Sequence, residues 1–325
     1  MLAFLFRRLG QGLLVVAVMA TLVFVGVYAL GNPIDILISP DADQFEREQA
    51  IARLGLDQPL WTQFGIFAAS ALRGDLGTSF VHGVPAVGLI LSRMPATLEL
   101  AFVALVIAVG VGVPLGLIAG LAPRSLFSRS VMVGSIFGFS LPNFWLGLML
   151  ILLFAVELHL LPAGGRGETR ELFGVAWSLA TLDGLRHLIL PALTLAIYKA
   201  SLVVRLAYAG TREALLQDFV RFARAKGLSR SRIVGVHVLK TVLIPVVTVL
   251  GLELGSMIAF AVVTETVFAW PGMGKLLIES IYRLDRPVIV AYLMVIVVMF
   301  VLINLAVDLI YMALDPRVRL TERSA

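Results

Sequence analysis

Between Glu99 and Arg124 the chain runs through residues 100–123 without one charged side chain. A helix needs roughly 17–25 apolar residues to cross a bilayer, so this run is long enough to span by itself. Similar runs cover 9–30 (after Arg7 and Arg8), 130–156 (between Arg129 and Glu157), 188–209, 242–266 and 288–312. The last three are not charge-free. They carry Lys199 and Arg205, then Glu253 and Glu265, then Asn304 and Asp308. With 59% hydrophobic and only 14% charged residues, the chain has more apolar surface than a soluble globule can bury, and lipid must serve as its solvent. The expected fold class is an all-α membrane protein with six transmembrane helices, forming one transmembrane domain over 1–325. A cleaved signal peptide is the alternative for 9–30, but the run is long for one and no convincing A-x-A site follows.

The basic residues give the orientation. Six spans put both termini on one side, together with loops 122–130 and 205–240. Two Lys/Arg precede the first span, two lie in 122–130, eight in 205–240 and three after 312. The opposite loops, 31–98, 157–187 and 269–287, carry four, three and three over about twice the length. The positive-inside rule therefore predicts a multi-pass protein of a bacterial-type cytoplasmic (inner) membrane with both termini cytoplasmic. The same clustering accounts for the net charge of +5 and pI near 9.8 without nucleic acid as a partner. In the long outer loop 31–98, Asp35, Asp41, Asp43, Glu46 and Glu48 mark acidic turns, and 60–72 reads as a helix too short to span, lying at the interface or docked.

The stretch 205–245 is the one long basic segment between apolar spans. Leu215, Leu216, Phe219, Phe222 and Ala223 recur at helical spacing, with Gln217, Arg221 and Arg224 on the opposite face. Gly227 can end that helix in a left-handed conformation, and Ser229 or Ser231 can cap a second helix leading to Pro245. This reads as a docking element; a basic loop resting on anionic lipid is the alternative.

At these residues the chain resembles a family. The string DFVRFARAKGLSRSRIVGVHVLKTVLIPVVTVLG (218–251) is similar to the cytoplasmic loop of oligopeptide/dipeptide-type ABC importer permeases. So are GLDQPL and RGDLGTSF in the outer loop, PATLELAF at 95–102, SLPNFWLGLMLILLFAVELHLLPAGG at 140–165, ETVFAWPGMGKLLIESIYRLDRPVI at 265–289 and NLAVDLIYMALDPRVRL at 304–320. Departures are few: the turn after the first span is reduced to Gly31, Asn32 and Pro33, Leu239 and Lys240 stand where the broader importer family has Leu-Pro, and Tyr208 stands where a second arginine is usual. The resemblance implies a type I ABC importer permease. Its partners would be a second homologous permease subunit, two ABC ATPase subunits and an extracytoplasmic solute-binding protein. ATP and Mg would be used by the ATPases, with no cofactor bound by this chain. The segment Asp218, Phe219, Arg221, Ala223, Arg224, Ala225, Lys226 and Gly227 would be the coupling element. The substrates implied are di- or oligopeptides or related small solutes such as nickel chelates and glutathione.

Chemistry of the chain's own is not expected. GMGK at 272–275 lacks the G-x-x-x-x-G-K-[ST] spacing of a phosphate loop, the four His are scattered, and there is no Cys. No catalytic residue and no metal site is predicted. GVGVPLG at 110–116 reads as glycines that let helices approach closely. A charge near mid-bilayer costs about 2.5–3.5 kcal/mol or more on insertion scales, so it faces protein or water. Lys199 and Glu253, each midway along its run, either line a translocation path or pair between helices. The main rival reading is an ion-gradient-driven secondary transporter. It would leave the basic loop unexplained, and no internal repeat supports it.

Overall fold

The computed structural model describes residues 2–29, 44–45, 48 and 57–314. The Gly31 to Pro33 turn, Asp35, Asp41, Asp43, Glu46 and the tail beyond 314 fall outside them. The described residues form two compact units, one from 1–94 with 275–302, the other from 95–274 with 303–325.

In the first unit, helix α1 (Leu2–Ala29) packs on the short helix α2 (Leu60–Leu72). Phe24 makes the contact, edge-on to Phe64 with ring centroids 5.2 Å apart and tilted against Phe67 at 5.8 Å. The 60–72 helix thus touches α1 through these rings, while none of its residues is buried. Asp285, fully buried, holds a turn in place. Its carboxylate accepts from Ser79 Oγ at 2.5 Å and from the Phe80 amide at 3.0 Å.

The second unit is organised by α6 (Leu182–Ala214), a helix whose Thr181 cap accepts from the Gly184 amide at 2.9 Å. Helix α3 (Ala86–Leu121) lies close against it. A Cβ at Gly112 would sit 2.7 Å from Val203, one at Gly116 2.7 Å from Ala207, and one at Gly120 2.7 Å from Thr211. These glycines let backbone meet side chain with nothing between, so Gly112 and Gly116 do what was read from 110–116, whereas Gly110 has no atom within 4 Å.

The 130–156 run, read as the third span, is sharply bent. It forms α4 (Leu126–Ser140) and α5 (Asn143–Leu150), the latter continued by a π turn over Ile151–Glu157, and the two segments meet at 106°. The cause is local. Pro142 has no amide to donate and pushes the residue before it out of helical geometry, and both Leu141 and Pro142 are extended, at ψ 132°. Among the described residues five helices are long and apolar enough to cross a membrane, and six spans result if the bent pair is counted as one. Most helices outrun the predicted runs: 86–121 against 100–123 and 182–214 against 188–209. Glu99, read as a boundary, is therefore inside a helix.

Glu99 is buried at 1% exposure and paired with Arg166 at 2.7 Å. The same carboxylate accepts from the Leu179 amide at 2.9 Å, and Arg166 donates to Ser178 Oγ and the Ala176 carbonyl. This fastens a two-stranded hairpin, β1 (Arg170–Leu172) and β2 (Val175–Trp177), to α3. Beside it Trp270 Nε1 donates to the Ala96 carbonyl at 2.9 Å, and Thr97 Oγ1 donates to buried Glu265 at 2.5 Å. Helix α10 (Met273–Tyr282) starts where the Met273 amide donates back to Thr97.

Candidate functional site

The predicted docking element lies between α6 and α9 (Leu239–Val267). Helix α6 ends at Ala214, three residues turn, and α7 covers Asp218–Ala225. The amphipathic helix is therefore shorter than the sequence pattern implied. Its buried face also differs. Val220 (0%) and Ala223 enter a core with Val203, Ala207, Val238 and Val242. Phe219 and Phe222, expected on the apolar face, are exposed, Phe222 to 62%, as is Leu216. The two short side chains, three residues apart, lie on the face that meets the core. That helical spacing was there to be read, but the larger aromatics outweigh it in any hydrophobicity pattern.

Around those aromatics the surface is charged. Asp218 and Arg221, both highly exposed, lie 3.3 Å apart, and Lys226 Nζ sits 4.5 Å from the centre of the Phe222 ring. Arg224 and Ala225 are exposed as well. The helix stops at Gly227, whose φ is +74°. The Gly227 amide donates to the Arg224 carbonyl at 2.9 Å and the Leu228 amide to the Ala223 carbonyl at 3.2 Å. Both bonds belong to the Schellman motif, and Leu228 packs on the same core as Ala223. Ser229 then caps α8 (Arg230–Arg232), its Oγ accepting from the Arg232 amide at 3.4 Å. A π turn, Ile233–Val238, holds half-buried His237 and leads directly into α9. The second helix does not stop at Pro245, which lies inside α9. Two residues after the Gly227 turn, helix runs without a break from Arg230 through residue 253.

Lys199 of α6 and Glu253 of α9 form an ion pair. Ser256 completes the group, accepting from Lys199 Nζ at 3.1 Å and donating to Glu253 Oε2 at 2.7 Å. Lys199 is 8% exposed. Sequence spacing could not nominate Ser256, because its contact with Lys199 crosses two helices. Of the residues singled out in the sequence, the structure leaves Asp218, Phe219, Arg221, Arg224, Ala225, Lys226 and Gly227 exposed on α7 and its turn, buries Ala223 in the core, and brings Lys199 to Glu253 in another place. Among the described residues no cluster of three or more His, Asp or Glu could hold a metal ion.

Residues 112–320 match the family described as binding-protein-dependent transport system inner membrane component. The chain is 36% identical to the dipeptide transport system permease protein DppB of Escherichia coli K12, over 98% of this chain and 99% of that one. It is 38% identical to the di/tripeptide transport system permease protein DppB of Pseudomonas aeruginosa, again over 98% and 99%. The probable D,D-dipeptide transport system permease protein DdpB of E. coli K12 is 41% identical over 94% of each chain. Among solved structures the MetNI methionine ABC transporter, in inward-facing conformations, aligns with a TM-score of 0.53 at 19% identity, covering 70% of this chain and 96% of that one. The fold is that of a type I ABC importer permease. The chain belongs to the family of binding-protein-dependent transport system inner membrane components.

Proposed function

We propose that the chain is the permease subunit of an ATP-driven importer of di- or oligopeptides and related small solutes. The relatives named for dipeptides, di/tripeptides, oligopeptides and glutathione support that substrate class. It works with a second permease subunit, two ATPases that consume ATP and Mg, and an extracytoplasmic solute-binding protein. Both termini and the basic loop that follows α6 lie in the cytoplasm, and the chain itself hydrolyses nothing.

The observation that carries this reading is the surface of α7. Val220 and Ala223 clamp the helix to the core while Phe219, Phe222, Arg221, Arg224 and Lys226 stand outward. Exposed aromatics ringed by basic residues on a rigidly held helix suit a protein groove, because such anchors gain most where a partner excludes water. An ATPase gripping α7 pushes on the Gly227 turn, and continuous helix carries the displacement along α9. Lys199 and Glu253 lie on the two helices so linked and line the translocation path in this reading. The test is Gly227→Val in the reconstituted complex. Its φ of +74° strains any β-carbon by roughly 1 kcal/mol, more for a branched one, while no atom lies within 4 Å to clash. Subunit stoichiometry should hold while uptake and ligand-stimulated hydrolysis both fall sharply. Rates near wild type would refute coupling through this turn.

A further inference from the structure

We propose that Arg205 is a carboxylate-receiving residue of the translocation path, holding the free carboxyl end of a peptide as it crosses. The inference rests on the peptide-import reading above and adds a residue to it.

Helix α6 has 33 residues, so it is about 50 Å long and exceeds a hydrocarbon core of about 30 Å. Its midpoint is residue 198. Arg205 lies seven residues on, inside the apolar run 188–209 read as the spanning segment. Val203, Val204, Leu206 and Ala207 flank it in sequence. A guanidinium keeps its proton in any protein environment, so within that segment it requires an anion or water.

Two other largely buried cations of the same unit have their anions on this chain. Lys199 has Glu253, and Arg166 has Glu99. Arg205 does not: among the described residues no carboxylate pairs with it, and its buried Nε has no hydrogen-bond acceptor. What it has is Phe139, whose ring centre lies 4.4 Å from the guanidinium carbon. Phe139 is in turn stacked on Tyr198, centroids 4.7 Å apart and planes within 19°. The aromatic pair supports the fork and limits its rotamers. A planar fork so held, with donors to spare, matches the two oxygens of a carboxylate. Phe139 is itself 39% exposed, so the fork sits beside open apolar surface where an uncharged peptide side chain can rest. An anionic end on an otherwise uncharged chain is the ligand this combination suits.

The full complex, with both permeases, the ATPases and the binding protein, is reconstituted in vesicles, supplied with ATP and offered alanyl-alanine. Peptide imported per ATP hydrolysed is compared for wild type, Arg205→Lys and Arg205→Met, with subunit stoichiometry checked. The expected result is a fall of about tenfold in Arg205→Met, the worth of one charge-assisted hydrogen bond, with Arg205→Lys in between because it keeps the charge and loses the fork. An unchanged ratio in Arg205→Met overturns the inference alone. So does loss of the partner permease from both variants, which assigns the anion to that subunit. A defect seen only with anionic lipid also overturns it, by assigning the site to a lipid phosphate. Wild-type vesicles that import no dipeptide overturn the peptide reading and this inference together.

Discussion

Two regions of the 95–274 unit treat their charges in opposite ways. At the hairpin end, Glu99, Arg166, Thr97 and Glu265 are paired with one another or with backbone groups, and Trp270 is fully buried with its indole N–H satisfied. In the 215–230 loop, Phe219, Phe222, Arg221, Arg224 and Lys226 are exposed, and the one ion pair there is a loose surface contact. Both regions carry aromatic and charged residues, so the presence of such residues does not by itself distinguish them. The difference is who supplies the partner. A region that satisfies its own polar groups is finished by folding. One that holds its backbone rigid by a Schellman turn and two small buried side chains, yet leaves its large side chains outside, is finished by binding.

The comparison can be broken at several strengths. Glu99→Ala should have the largest effect, since it strands Arg166 and frees the Leu179 amide in a buried site. Losing one member of a buried pair costs about 3–5 kcal/mol. The thermal midpoint of the detergent-solubilised chain should drop steeply, and a midpoint within error of wild type would mean the hairpin end is not a self-contained lock. Phe222→Ala comes next. If the loop is completed by the ATPase, removing an aromatic anchor should weaken that association by about 2 kcal/mol, roughly thirtyfold in Kd, with the chain's own midpoint unmoved. A titration in which affinity holds and the midpoint falls would make Phe222 a folding residue and erase the contrast. Arg221→Ala is the smallest. Its exposed pair with Asp218 is worth about 0–1 kcal/mol, and the loss of ATPase affinity should fade as salt is raised. A large, salt-independent loss would place Arg221 in a desolvated part of the interface.

Much of this was legible before any coordinates. The apolar runs, the stop at Gly227, the Ser229 cap and the close approach at 110–116 are local matters of hydropathy, φ preference and side-chain size, and local matters are written in consecutive residues. The bend at Leu141 and Pro142 was legible too, since a proline after an extended residue breaks a helix. The 130–156 run hid it by being apolar on both sides.

What the sequence by itself determined is the solvent this chain requires, where its helices lie to within a turn or a few, and which loop is basic. Those follow from the cost of polar groups in lipid and from backbone preferences, which each segment meets alone. Only the tertiary structure decided which face of 218–225 is buried, because the choice of Val220 and Ala223 over Phe219 and Phe222 depends on which face meets the core with Val203, Val238 and Val242. It also decided between partners. Lys199 could pair or stand free, and its link to Glu253 and Ser256 joins residues 54 and 57 positions apart. Arg205, on the same helix, has Phe139 beneath it and no carboxylate beside it among the described residues. Charge type is a property of one residue, but satisfaction of a charge is a property of the space around it, and that space exists only once the helices have packed.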